Sequence, residues 1–150
     1  MKLAEALILR ADLQKRLEQL RSRLTANALV QEGEEPAEKP EELLEELERT
    51  SDQLEHLVSR INLTNAAEEV DGVTLTELLA KREILSQKVS ILRSLLDAAS
   101  KLVVRGSRNE VKIQSTVEVP KLRKQLDELS CQLRILDTSI QGANWLKDLK

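Results

Sequence analysis

Two sets of polar side chains recur along this chain in the same order and could bind a small polar molecule. In each set a glutamate and an arginine five residues apart open one helical segment, and amide side chains stand near the end of the next. The residues of the two sets are Glu5, Arg10, Asn62, Asn65, Glu77, Arg82, Gln141, Asn144 and Trp145. Guanidinium and amide groups donate hydrogen bonds to anions, so this candidate polar constellation could hold a small anion or another polar ligand.

Arg10 and Arg82 can be interpreted in more than one way. Both occupy positions of the apolar seam of a helix at which leucine is expected. In the structural interpretation each arginine, with its glutamate and an asparagine of the facing helix, fixes the register of the packed helices. In the functional interpretation the same groups bind a ligand. A third interpretation is a contact between subunits.

No motif for catalysis or metal binding is found. His56 is the only histidine and Cys131 the only cysteine, so no set of metal ligands of these types exists. The acidic residues between Glu32 and Glu48 resemble a magnesium site in part, but they begin a helix, where the macrodipole already stabilises carboxylates. We therefore predict no catalytic residue, metal or cofactor, and the sequence favours a protein that is not an enzyme.

Four helices are needed to position the constellation. Apolar residues at spacings of three and four predict helices over about Leu3–Val30 and Pro40–Asn65, a third that opens with the capping box Thr74–Glu77, and a fourth that begins at Pro120.

A different pattern separates the third and fourth helices. Val111, Ile113, Val117 and Val119 alternate with polar residues, which predicts a short β-hairpin near 110–119.

The chain also matches itself at two offsets. A shift of 72 residues aligns the first helix with the third, and a shift of 79 aligns the second with the fourth. Polar matches weigh more than leucine matches, since any two amphipathic helices align their leucines. The polar matches are Glu5 with Glu77, Arg10 with Arg82, Gln53 with Gln132 and Asn65 with Asn144.

These matches predict an internal duplication, with repeat 1 over 1–66 and repeat 2 over 73–146 of a single domain, 1–150. The fold class is all-α: two antiparallel helical hairpins form a four-helix, coiled-coil-like bundle. In an up-down-up-down bundle both polar sets lie at the same end. Long leucine seams with a single aromatic residue predict a homo-oligomer.

Composition limits the partners. The net charge is -3, which predicts no binding to nucleic acid or to an anionic membrane. We find no apolar stretch of transmembrane length and no signal peptide, and the lone cysteine fits a reducing compartment. We therefore predict a cytoplasmic protein.

Four segments resemble a bacterial family of unknown function whose members are often labelled septicolysin. The segments are Met1–Gln14, Ile61–Asn65, Thr74–Glu77 and Gln141–Trp145. The resemblance implies a helical cytoplasmic protein without an established activity. The label suggests a pore-forming cytolysin, which we disfavour because the sequence has no export signal, β-rich module or membrane-length segment.

We accordingly expect a non-enzymatic, oligomeric interaction or scaffold protein that works through coiled-coil surfaces. The alternative is a protein, possibly an enzyme, that binds a small polar ligand or nucleotide with the Glu, Arg and Asn groups at one end of the bundle.

Overall fold

The computed structural model describes residues 1–101 and 112–150. The described chain is mostly helical, which confirms the predicted all-α class. Its elements, in chain order, are α1 (Leu3–Ala26), α2 (Pro40–Ala67), β1 (Glu69–Val70), β2 (Val73–Thr74), α3 (Leu75–Ala99) and α4 (Val119–Leu146).

The chain folds as two compact units. Unit 1 comprises residues 1–74 and 142–150, and unit 2 comprises residues 75–141. The last turn of α4 therefore belongs to unit 1. Below, hairpin 1 means α1 with α2, and hairpin 2 means α3 with α4; the single domain over 1–150 stays a prediction.

Hairpin 1 has a closely packed seam. Its backbones approach each other along the pair, and the seam leucines Leu13, Leu20 and Leu57 are buried between them. Ala6 and Thr50 are small buried residues of the same seam, and small side chains let two helices pack at short interaxial distance. These buried residues form the core of the pair.

Side-chain bonds fasten the linker between α1 and α2. The Asn27 amide donates to the Arg23 carbonyl at 2.8 Å and accepts from the Glu38 backbone N–H at 3.0 Å. Pro40 then occupies the first turn of α2, where its missing N–H costs nothing. The predicted start of the second helix is confirmed.

A two-stranded antiparallel sheet joins α2 to α3, with Val70 paired to Val73. Asp71 and Gly72 between them have φ of 51° and 79°. Two successive positive φ values make the tight turn that matches the twist of paired strands, and Asp-Gly is a preferred sequence for it.

The β-hairpin predicted near 110–119 is not formed by the described part of that stretch. Residues 112–118 contain no strand, and Val119 already begins α4, while 110 and 111 lie outside the described residues. Ser115 explains this locally: its hydroxyl donates to the Val117 carbonyl at 2.9 Å and accepts from the Val117 N–H at 3.3 Å. Such local bonds compete with the bonding of a strand ladder.

Hairpin 2 is packed more loosely than hairpin 1. Its helices are spaced more widely and leave a groove of about 840 Å³ between them. Larger side chains account for the spacing, since Leu78 replaces Ala6 and Leu129 replaces Thr50 at the offsets of 72 and 79. The seam leucines Leu85 and Leu92 are half-buried, although Val89 and Leu126 are buried where the matched Leu17 and Leu47 of hairpin 1 are half-buried.

The first and last residues of the helices are related by the same offsets of 72 and 79 residues. Adding 79 to both limits of α2 gives the limits of α4, and adding 72 to the start of α1 gives the start of α3. Residues related by these offsets are called matched positions below. The internal duplication itself stays a prediction.

Candidate functional site

Arg82 of the predicted constellation lies in unit 2 and pairs with α4. Its Nη1 lies 3.0 Å from Oδ1 of Asp137, and both side chains are partly exposed. This pair forms one wall of the groove between α3 and α4, which Glu83, Ser86 and Arg134 also line. The groove therefore carries two cationic and two anionic groups and no net charge.

Arg10, the matched position of Arg82, has no such partner. The residue matched to Asp137 is Val58, which offers no acceptor. The Nε of Arg10 is buried and has no hydrogen-bond partner among the described residues. A buried donor without an acceptor is costly, so the two matched arginines stand in opposite situations.

The two glutamates of the constellation stand in the first turns of their helices. Glu5 is exposed and accepts a hydrogen bond from the Lys2 backbone N–H at 2.7 Å, as a residue that closes a helix N-terminus does. Glu77 is exposed in the first turn of α3 and also has an interaction partner.

The amide residues of the constellation differ in burial. Asn144 is buried and Asn65 half-buried, whereas Asn62 and Gln141 are exposed. Asn62 lines a groove of about 540 Å³ in unit 1. Trp145 exposes 56% of its surface.

The partners found for Glu5 and Arg82, which are Lys2 and Asp137, lie outside the predicted constellation. Arg82 takes Asp137, and no hydrogen bond among the described residues joins Arg10 to Asn65. A shared site for all nine residues, at one end of a bundle, stays a prediction.

Apolar residues on the outside of hairpin 2 form a second candidate site. Ile84, Ile91 and Leu95 of α3 expose 62%, 68% and 41% of their surfaces. Spacings of seven and four residues place them on one side of the helix, and they are called the α3 stripe below. On α4, Ile135 is exposed as well.

The matched positions in hairpin 1 are polar. Asp12, Gln19 and Arg23 stand where α3 has Ile84, Ile91 and Leu95, and His56 stands where α4 has Ile135. Hairpin 1 does expose Ile8, Leu9, Leu44 and Leu63, but these do not repeat along one helix side. The sequence contained this difference, which becomes visible only when the matched positions are compared outside the seam.

Ion pairs bind α1 of hairpin 1 to α2 and to the linker before it. Arg16 donates to Glu46 at 2.7 Å, and Arg23 donates to Glu38 at 3.0 Å and lies 3.5 Å from Glu46. Hydrogen bonds from Arg23 lower the pKa of the Glu38 carboxyl, and hydrogen bonds from Arg16 lower the pKa of Glu46. Arg23 is thus used in cohesion, where α3 leaves Leu95 exposed.

Glu68 forms ion pairs with Lys147 and Lys150 in unit 1, and these contacts, called the clasp, were not predicted from the sequence. Glu68 lies 2.9 Å from Lys150 and 3.1 Å from Lys147, and the hydrogen bonds from these lysines lower the pKa of the Glu68 carboxyl. The Lys150 N–H also donates to the Thr64 hydroxyl at 3.0 Å. These contacts join residues far apart in sequence, and no periodic pattern signals them.

Residues 1–101 and 112–150 contain no cluster of His, Cys, Asp and Glu side chains fit to hold a metal ion. None of the described helices is long and apolar enough to cross a membrane. The candidate sites are the α3 stripe and the grooves of about 840 Å³ in unit 2 and 540 Å³ in unit 1.

The fold and these surfaces define a helical protein of two hairpins, one of which carries an apolar outer side. The model of a family of unknown function, DUF6847, matches residues 10–149, and the chain belongs to this family. A crystal structure of a functionally unknown conserved protein from Corynebacterium diphtheriae is 39% identical, with a TM-score of 0.94 over 100% of this chain and 99% of that one. No curated protein matches the chain.

Proposed function

We propose that the chain is a non-enzymatic interaction protein that self-associates through the α3 stripe. The observation that carries the proposal is the exposure of Ile84, Ile91 and Leu95 at positions where the matched residues of hairpin 1 are polar. Contiguous exposed apolar residues on a folded protein mark interaction sites more often than isolated ones do.

The packing of hairpin 2 supports the same proposal. Its seam leucines Leu85 and Leu92 are half-buried, whereas the matched Leu13 and Leu20 are buried. Removing an isoleucine or leucine side chain fully from water contributes about 1.5–3 kcal/mol. Association that buries the exposed surface of the stripe and of the seam leucines would therefore be favoured by part of this free energy.

Sedimentation equilibrium over a concentration series tests the proposal. The wild-type chain is expected to dimerise, and the triple variant I84D/I91Q/L95R, which carries the matched residues of hairpin 1, is expected to be monomeric. The control I8A/L9K/L44R makes the reverse exchange in hairpin 1, with Ala80, Lys81 and Arg123 as the matched residues, and should associate like wild type. A monomeric wild-type chain contradicts the proposal.

Arg10 supports a second candidate function, the binding of a small polar ligand or nucleotide. Its buried Nε has no partner among the described residues, and an anion or carbonyl oxygen there would supply the missing acceptor. A thermal-shift screen with inorganic phosphate, nucleotides and divalent metals tests it. Stabilisation by one of these that is lost in Arg10→Ala but retained in Arg82→Ala supports the candidate, and a flat screen contradicts it.

Kinship with the septicolysin-labelled proteins also stays a proposal, supported by the four resembling segments, and so does a cytoplasmic location, supported by the lone Cys131. We propose no cytolytic activity. Leakage of dye from liposomes in the presence of the protein would contradict this.

A further inference from the structure

We infer that the α3 stripe binds the α3 stripe of a second copy of this chain in parallel, with Glu83 of each copy paired to Lys88 of the other. The inference rests on the proposed self-association and deepens it by naming the partner, the helix direction and the ion pair.

The stripe repeats at the spacing of one core position of a coiled coil, and Gln87 and Ser94 stand at the other core position. Ile84 and Ile91 are seven residues apart, and Ala98 follows after another seven, so all three lie along one line of a supercoiled helix. Leu95 lies beside this line and Ala80 stands one turn before Ile84. Ala80 and Ala98 are exposed, as the three stripe residues are, and Ala80 also lines the groove of unit 2.

Opposite charges flank this line on its two sides. Lys81 lies three residues before Ile84 and Lys88 four residues after it, on one side of the line, and Glu83 lies one residue before Ile84, on the other side. Both Glu83 and Lys88 are exposed. Neither forms an ion pair within the described residues, although Glu83 lines the groove of unit 2.

These charges distinguish the two possible helix directions. In a parallel pair the two different flanks meet, and a residue just before a core position faces the residue five further on in the other copy. Glu83 then faces Lys88 of the second copy, and by two-fold symmetry the contact occurs twice.

In an antiparallel pair identical flanks meet instead. Lys81 and Lys88 then face the same two lysines of the second copy, and like charges at this distance repel. The parallel direction therefore gains two attractions and avoids a cluster of four lysines. The remaining flank residues that meet in the parallel pair, Thr76 with Lys81 and Ser90 with Leu95, bring no like charges together.

Charge reversal tests the ion pair. E83K and K88E alone each turn two attractions into repulsions, so the dimer Kd at low salt should rise about fivefold to tenfold. An equimolar mixture of E83K and K88E should form a mixed dimer with near wild-type Kd, because the lysine introduced in one chain then faces the glutamate introduced in the other. K15E and E48K change the same charges in hairpin 1 and should leave the Kd unchanged.

Cysteine cross-linking tests the direction independently, in a C131S background. In a parallel pair both I84C and I91C chains oxidise to covalent dimers with themselves. An antiparallel pair brings at most one of these positions against its own copy. Cross-linking at one position only, or at neither, overturns the inference.

The outcomes separate this inference from the proposed function. A wild-type chain that dimerises, is made monomeric by I84D/I91Q/L95R, and yet responds to neither charge reversal contradicts the parallel pairing alone. A monomeric wild-type chain contradicts both.

Discussion

Hairpins 1 and 2 share helix lengths and matched seams, yet they bury their residues differently. In hairpin 1 the seam leucine Leu20 is completely buried and the outer positions Asp12 and Gln19 are polar. In hairpin 2 the matched Leu92 is half-buried, and Ile84 and Ile91 are exposed. The seam pattern thus specifies a helical hairpin, whereas the residues outside the seam decide what the hairpin contacts.

The two hairpins also differ in the number of ion pairs that hold their helices together. Arg16 and Arg23 tie α1 to α2 through their shared partner Glu46, and Arg23 also pairs with Glu38 of the linker. Among the described residues of unit 2, one ion pair, Arg82 with Asp137, joins α3 to α4. Hairpin 1 is thus held by its own contacts, and hairpin 2 retains surface that a partner could cover.

The largest difference is expected from truncating a seam leucine in each hairpin. Leu20→Ala removes a side chain with no exposed surface and should lower the free energy of unfolding by about 3–5 kcal/mol, because it leaves a cavity. Leu92→Ala, at the matched half-buried position, should cost about half as much. Urea denaturation at a concentration where the chain is monomeric measures both.

A second matched pair controls for local effects. Leu57→Ala in α2 should again cost more than Leu136→Ala in α4, since Leu57 is buried and Leu136 half-buried. Equal losses in both pairs would contradict the claim that hairpin 2 is the more loosely packed.

The matched arginines should respond to leucine with opposite signs. Arg10→Leu removes a buried donor that has no acceptor and should raise the free energy of unfolding by about 1 kcal/mol. Arg82→Leu breaks a partly exposed pair with Asp137 and should lower it by about 0.5 kcal/mol. Thermal unfolding followed by circular dichroism measures both; a loss for Arg10→Leu contradicts the account of Arg10.

Acid should weaken unit 1 through its carboxylates. The folded-state pKa of Glu68 lies below the ordinary 4.5, so its pairing with Lys150 and Lys147 stabilises the protein above that value and is lost as the pH falls through the folded pKa. The urea midpoint of wild type should therefore fall below pH 4.5. Glu68→Gln has no carboxyl to protonate, so it should be less stable than wild type at pH 7 and lose less on acidification.

The elements of this fold were largely readable from the sequence, because the spacing of leucines and prolines sets where helices begin and which side is buried. Pro40 and the seam of α2 are examples. The small sheet was missed although Asp71-Gly72 between two valines signals a tight hairpin. The strands predicted over 110–119 are not found in the described part of that stretch. The alternation of apolar and polar residues favours strands there, but the hydrogen bonds between Ser115 and Val117 replace those of a strand ladder.

The candidate sites were less predictable, because side-chain partners depend on three-dimensional contacts that periodicity does not encode. The sequence singled out Arg10 and Arg82 as a matched pair, but only the structure shows that Asp137 faces one and that no acceptor faces the Nε of the other. The clasp at Glu68 joins residues about eighty apart in sequence, which no local pattern could predict.

The mass of the wild-type chain in solution, compared with that of I84D/I91Q/L95R, tests the central claim most directly. One chain has a mass of 16.9 kDa. Light scattering after gel filtration at micromolar concentration should give twice this value for wild type and the single value for a folded triple variant. A wild-type mass of 16.9 kDa, or a triple variant that dimerises like wild type, would contradict the claim that hairpin 2 carries the binding surface.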